Sequence, residues 1–135
     1  MKRLQGKKRC RAAATVELAV VMPLLLAILF GIIEYGWVFS VRQAMATASR
    51  EGARVAALPG STDEDIETRL AEVLTPLGLT EGKYEVYLTH STPENPVEMV
   101  ELRVKYSDIT LLGNFFTDED FYLVAKCSMR KEVLE

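Results

Sequence analysis

The chain has 135 residues, a formal net charge of -3 and two cysteines, a length that allows one ordinary domain. Six cations (Lys2, Arg3, Lys7, Lys8, Arg9 and Arg11) and no acid fall within residues 1–11, so the remainder carries -9, a basic tip on an acidic body. Cys10 and Cys127 lie on opposite sides of the apolar stretch described next, which excludes an intrachain disulfide framework.

Residues 18–33 (LAVVMPLLLAILFGII) contain no charged or hydrogen-bonding side chain, and the apolar character extends upstream to Ala12. The 22 positions from Ala12 to Ile33, interrupted only by Thr15 and Glu17, are long enough as a helix to cross a bilayer. The eleven Leu, Ile, Val and Phe side chains of residues 18–33 contribute about -3 to -7 kcal/mol to insertion. A cleavable secretory signal would need a shorter apolar run with a nearby A-x-A site, whereas Ala44-Met45-Ala46 lies well beyond Ile33. Because the cations lie upstream, the N-terminus is expected in the cytoplasm and the C-terminal part outside. Placed there, the basic head is topogenic, and no nucleic acid is expected as a partner. Tyr35, Trp37 and Phe39 follow the apolar core and are expected at the headgroup level, with Glu34 as a solvated boundary residue.

Helix is expected to continue past the membrane through VRQAMATASREGARVAA, rich in good helix formers and free of proline until Pro59. Gly36, Ser40, Ala44, Ala48, Gly52 and Ala56 recur at every fourth position. Such spacing either lets a second helix approach closely or reflects alanine as a favourable helix former. Gly31 and Pro23 join Gly36, Ser40, Ala44, Ala48 and Gly52 as helix-packing candidates. Pro23 removes one backbone hydrogen bond inside the span, where it either permits bending or is tolerated as a kink.

Leu58-Pro59-Gly60 ends this rod, and Ser61-Thr62-Asp63-Glu64-Asp65 supplies N-cap candidates and first-turn acids for a short second helix. Ile66, Leu70, Val73, Leu74 and Leu77 give it one apolar face, with Gly78 as its C-cap. Beyond Gly82 the period becomes two: Tyr84, Val86 and Leu88 alternate with polar residues, as do Val100, Leu102, Val104 and Tyr106. Thr92-Pro93-Glu94-Asn95-Pro96 reads as the loop of an antiparallel pair, and residues 121–129 as a third strand. Leu111, Leu112, Phe115 and Phe116 form an apolar group that either folds back over the core or presents a partner-binding patch. Cys127, in the last alternating stretch, reads as a small buried apolar residue.

Signals of catalysis are missing from this pattern. His90, the sole histidine, has no Cys or paired carboxylate at metal-ligand spacing, and there is no G-x-S-x-G or phosphate-loop motif. The carboxylates of the outer part read as a solvated face, so neither an enzyme, a metal nor a cofactor is expected. The informative residue is Glu17, an ionisable group at the start of an apolar helix, which by default signals a function and a partner.

These residues carry a family resemblance. The basic leader, Ala12-Ala13-Ala14-Thr15-Val16-Glu17-Leu18-Ala19 and the following VVMPLLLAILFGIIEYG resemble the N-terminal segment of TadE-like proteins of bacterial tight-adherence (Tad/Flp) pilus systems. Ala48-Ser49-Arg50-Glu51-Gly52-Ala53-Arg54 and Ser128-Met129-Arg130-Lys131-Glu132 are also similar to that family. The resemblance implies a pseudopilin or minor pilin, cut on the cytoplasmic side by a prepilin peptidase. In the family pattern the glutamate is the fifth mature residue, which maps the cut between Ala12 and Ala13 and gives Ala12, Ala13 and Glu17 the processing roles. Ala12 stands where the family usually has glycine. The implied partners are that peptidase, other pilin-like or TadE/TadF-like subunits and the inner-membrane assembly platform, beside the lipid bilayer.

The expected fold is α+β and pilin-like: one long N-terminal helix, half transmembrane and half extracytoplasmic, one short helix, and an antiparallel sheet of three or four strands. The expected organisation is a cytoplasmic leader at residues 1–12, a transmembrane and stalk helix at 13–57, and an extracytoplasmic domain at 58–135. The alternative function is an uncleaved, membrane-anchored scaffold or adaptor.

Overall fold

The computed structural model describes residues 4–113 and 121–131, with side chains from residue 14 onward. It divides into two units, Met1–Gly36 and Trp37–Glu135. The architecture is α+β: two helices, α1 (Leu4–Ala57) and α2 (Asp63–Leu74), and three strands, β1 (Tyr84–Thr89), β2 (Val97–Lys105) and β3 (Tyr122–Arg130).

The first unit is helix. It begins at Leu4, upstream of the apolar run, because the leader is rich in Lys, Arg and Gln, which favour helix nearly as well as alanine. Pro23 lies inside α1. Val16, Val20, Val21, Met22, Leu24, Leu25, Leu26 and Phe30 are all exposed, and at about 100° of rotation per residue they are spread around the whole circumference of the helix. A helix that is apolar all round has no face to offer water, so its stable surroundings are lipid or other helices.

In the second unit the C-terminal part of α1 packs with α2 against one face of the sheet. The α2 N-terminus is set locally: the Asp65 amide donates to Thr62 Oγ1 at 3.3 Å and the Thr62 amide to Asp65 Oδ2 at 2.9 Å. This is a capping box with aspartate in the return position, and Asp63, Glu64 and Asp65 complement the helix dipole. The Thr62 amide and, second, the Thr62 hydroxyl, which donates to Asp65 Oδ2 at 2.8 Å, hold the Asp65 carboxyl below its ordinary range. After Leu74 the chain tightens into a 3-10 turn, Thr75–Leu77, and Gly78 closes it at φ 77°, a left-handed geometry that favours glycine.

The sheet order is β1-β2-β3, both pairings antiparallel. Register places Tyr84, Val104 and Leu123 in one cross-strand row, Val86, Leu102 and Ala125 in the next, and Leu88, Val100 and Cys127 in a third. These rows form the inner face with Val41, Met45, Ala48, Ile66, Leu70 and Leu74 of the helices. Cys127 is half-buried there.

One expectation is corrected. Tyr106 does not continue β2: the strand ends at Lys105 and Tyr106–Asp108 form a 3-10 turn, with the Tyr106 amide donating to the Phe121 carbonyl at 2.9 Å. Tyr106 is still buried, so its alternation reported burial correctly and backbone state incorrectly. Of the apolar group that follows, Leu111 and Leu112 are 57% and 37% exposed, so of the two alternatives these two side chains favour the exposed patch. They follow Ile109, which takes the buried position of that segment; Phe115 and Phe116 lie outside the described residues.

Candidate functional site

The N-terminal helix carries the residues singled out by sequence. Ala12 and Ala13 lie in its first part. Five residues on, Glu17 is exposed at the start of the apolar surface. A Cβ added at Gly31 or Gly36 would meet nothing within 4 Å, so the backbone there is open to close approach by another helix. Ser40 is exposed and Ala44 half-buried, whereas Ala48 and Gly52 are buried inside the second unit. A Cβ at Gly52 would stand 2.8 Å from Leu70 Cδ2, so this glycine serves the contact between α1 and α2 of the same chain.

At the end of the apolar run, Tyr35 and Phe39 are exposed and suited to a headgroup region. Trp37 is half-buried, and its ring N–H donates to the Ile109 carbonyl at 2.7 Å, tying α1 to the turn after β2. Glu34 is only 4% exposed, which corrects the expectation of a solvated boundary carboxylate. Enclosing a carboxylate is favourable only when it has a polar or charged partner, and Glu34 is not without one.

The carboxylates do not all form a solvated face either. Glu98 on β2 is 2% exposed. Its Oε1 accepts from Lys131 Nζ at 3.0 Å and from the Ser91 hydroxyl at 2.9 Å, while His90 Nδ1 lies 3.3 Å from Oε2. The other ring nitrogen, Nε2, lies 3.5 Å from Asp63 Oδ1 at the start of α2, so His90 stands between the sheet and the helix. No spacing in the sequence signals this cluster, because Asp63, His90, Glu98 and Lys131 meet only when β2 pairs and α2 docks. Among the described residues no group of three or more His, Cys, Asp or Glu side chains is arranged to hold a metal ion.

Burial alone would raise the Glu98 carboxyl, but the hydrogen bonds from Lys131 and Ser91 outweigh it and hold it below its ordinary value. A depressed folded-state pKa means the unfolded chain takes up the proton more readily. The resulting stability is present above the ordinary glutamate value of about 4.3 and is lost as pH falls through the depressed one. Glu98→Gln is therefore expected to flatten the acid side of the stability profile. The check is the thermal midpoint of the full chain in micelles between about pH 6 and pH 3; an unchanged slope would remove Glu98 as its source.

With this geometry in place, comparison with known proteins adds one match. Residues 12–54 match the family model described as TadE-like protein. This chain carries a TadE-like N-terminal helix. The matched stretch holds Glu17, the apolar surface, Tyr35, Trp37 and Phe39 and the helix through Arg54, and stops before α2. The helix is long and apolar enough to cross a membrane, consistent with anchoring. No curated protein and no solved structure matches the chain.

Proposed function

We propose that this TadE-like protein is a pseudopilin or minor pilin-like component of a tight-adherence pilus or secretion assembly, held in the bacterial inner membrane and packing through its N-terminal helix. The observation that carries the reading is a helix whose exposed apolar side chains run all round it within the TadE-like match, with Glu17 at their start. On this reading a prepilin peptidase cuts between Ala12 and Ala13, removing all six leader cations and leaving an apolar helix with a free amine. Glu17 of one subunit then pairs with the new amine of another within lipid, and the open backbone at Gly31 and Gly36 admits the neighbouring helix. Pro23 lies between Glu17 and Gly31.

One observation favours a second reading, an uncleaved anchored scaffold: Ala12 occupies the position where the family usually has glycine. The mass of the mature N-terminus from purified membranes separates the two. A chain beginning at Ala13 is expected, and an intact N-terminus would overturn processing in favour of the scaffold. Labelling of the second unit from the cytosolic side would sink both.

A further inference from the structure

β1 and β3 are the two edges of the sheet, each pairing only with β2 among the described residues. Along the β3 edge, between β3 and the C-terminal part of α1, runs a groove of about 500 Å³ whose lining includes Arg42, Arg50 and Lys126 and no acid. Its floor is partly apolar, with Val124 exposed. On the β1 side, α2 and the turn before β1 form a second groove, lined by Glu64, Glu67, Glu72 and Glu81 and by no cation. Glu67 and Glu81 also act on Tyr84 of β1, which places this acidic flank at the β1 edge.

Most of these charges are unspent. Arg42, Arg50 and Lys126 make no ion pair among the described residues, nor do Glu64, Glu67 and Glu81; Glu72 alone is paired, to Arg69 at 2.7 Å. Among the described residues the domain therefore presents an unpaired positive groove at one sheet edge and, at the other, a negative groove in which only Glu72 is paired. Opposite potentials on two surfaces steer and orient association.

We infer that the β3-edge groove docks a second copy of this chain, which presents its acidic α2 and β1 flank to Arg42, Arg50 and Lys126. An isologous pair would need both flanks within one interface, and they lie on opposite edges of the sheet. The contact is therefore heterologous, leaving one free flank of each sign at the ends, and it propagates from copy to copy. The inference deepens the proposed assembly role, because it gives the outer domain a polarity that helix packing alone does not supply.

The test uses the full chain in native membranes with a photoreactive residue at Thr68, which lines the acidic groove, and a separate chain with one at Leu29 in the apolar helix. The expected result is a Thr68 adduct mapping to residues 124–127 or 42–50 of a second copy. Reversing the basic flank (Arg42→Glu, Arg50→Glu, Lys126→Glu) or the acidic flank (Glu64→Lys, Glu67→Lys, Glu81→Lys) is each expected to reduce the adduct at least about fivefold. Mixing the two variants should restore it, since each then offers the flank the other lacks, and restoration also shows that both fold. A Thr68 adduct back to α2, or failure of the mixture to restore it, overturns the head-to-tail contact. In the chain with both flanks unaltered, absence of the Thr68 adduct while the Leu29 adduct forms overturns this contact alone; absence of both also removes the assembly reading.

Discussion

Glu17→Ala is expected to leave the protein inserted and folded while abolishing its incorporation into higher-order complexes. A carboxylate near the membrane start of an apolar helix opposes insertion by up to about 2.5–3.5 kcal/mol at the bilayer centre, less toward the edge, so its removal does not harm the monomer. Nor does it touch the core of the second unit, which begins at Trp37. What the substitution removes is the proposed pairing with the amine exposed by cleavage. Taking away one partner of a buried ion pair leaves the other uncompensated, at about 3–5 kcal/mol, or about two to four orders of magnitude in the association constant. The measurement is the covalent adduct formed in membranes from a photoreactive residue at Leu29, compared with wild type at equal membrane abundance. Glu17→Gln, which keeps size but not charge, should behave as alanine does. Adducts at wild-type yield in either variant would remove Glu17 from assembly.

Gly52→Leu is the second large effect, and it acts on the fold. A Cβ at this position already stands 2.8 Å from Leu70 Cδ2 and 3.5 Å from Ile66 Cγ2, and both residues are buried. A full leucine has nowhere to go without separating α1 from α2, and overpacking of this kind costs about 1–3 kcal/mol. For a domain of this size each kcal/mol lowers the thermal midpoint by about 4–8 °C. Gly52→Ala is expected to be much milder. Its single methyl meets the mobile end of Leu70, and alanine returns up to about 1 kcal/mol of helix propensity. Thermal unfolding of the full chain followed by circular dichroism checks both; a Gly52→Leu midpoint equal to wild type would mean that the helices do not meet here. Partial recovery in Gly52→Leu with Leu70→Ala would identify the overlap as the cause.

The elements that were legible in the sequence are those in which one local pattern leaves no choice. Residues 18–33 hold no polar side chain, and Thr62 with Asp65 three positions on marks a helix start whatever surrounds it. Tyr84, Val86 and Leu88 alternate because one face of a strand is covered, and their partners in β2 repeat the signal. Tyr106 misleads because a buried position two residues beyond Val104 keeps the alternation while the backbone has already turned. Leu111 and Leu112 leave the outcome open, since apolarity alone does not show whether a loop lies on the core or stands away from it.

The candidate sites divide along the same line. Glu17 was visible because its oddity lies in its immediate neighbours. Glu98 was not: a glutamate between Val97 and Met99 looks like any outward strand residue until Lys131, 33 positions away, is brought against it. The glycines and alanines of α1 share one spacing, yet Gly52 is consumed by α2 of its own chain while Gly36 remains open.

What the sequence determined by itself was therefore a membrane-competent helix, its basic N-terminal tip and the acid at its start, the short capped helix and the alternation of the strands. Each depends on solvent and on chain neighbours within a turn or two. Which carboxylate is buried, which small residues are already occupied, and that positive and negative charge collect at opposite edges of the sheet were decided only by tertiary structure. Burial and charge pairing depend on distances between residues far apart in the chain, and those distances exist only once the sheet has closed against the helices.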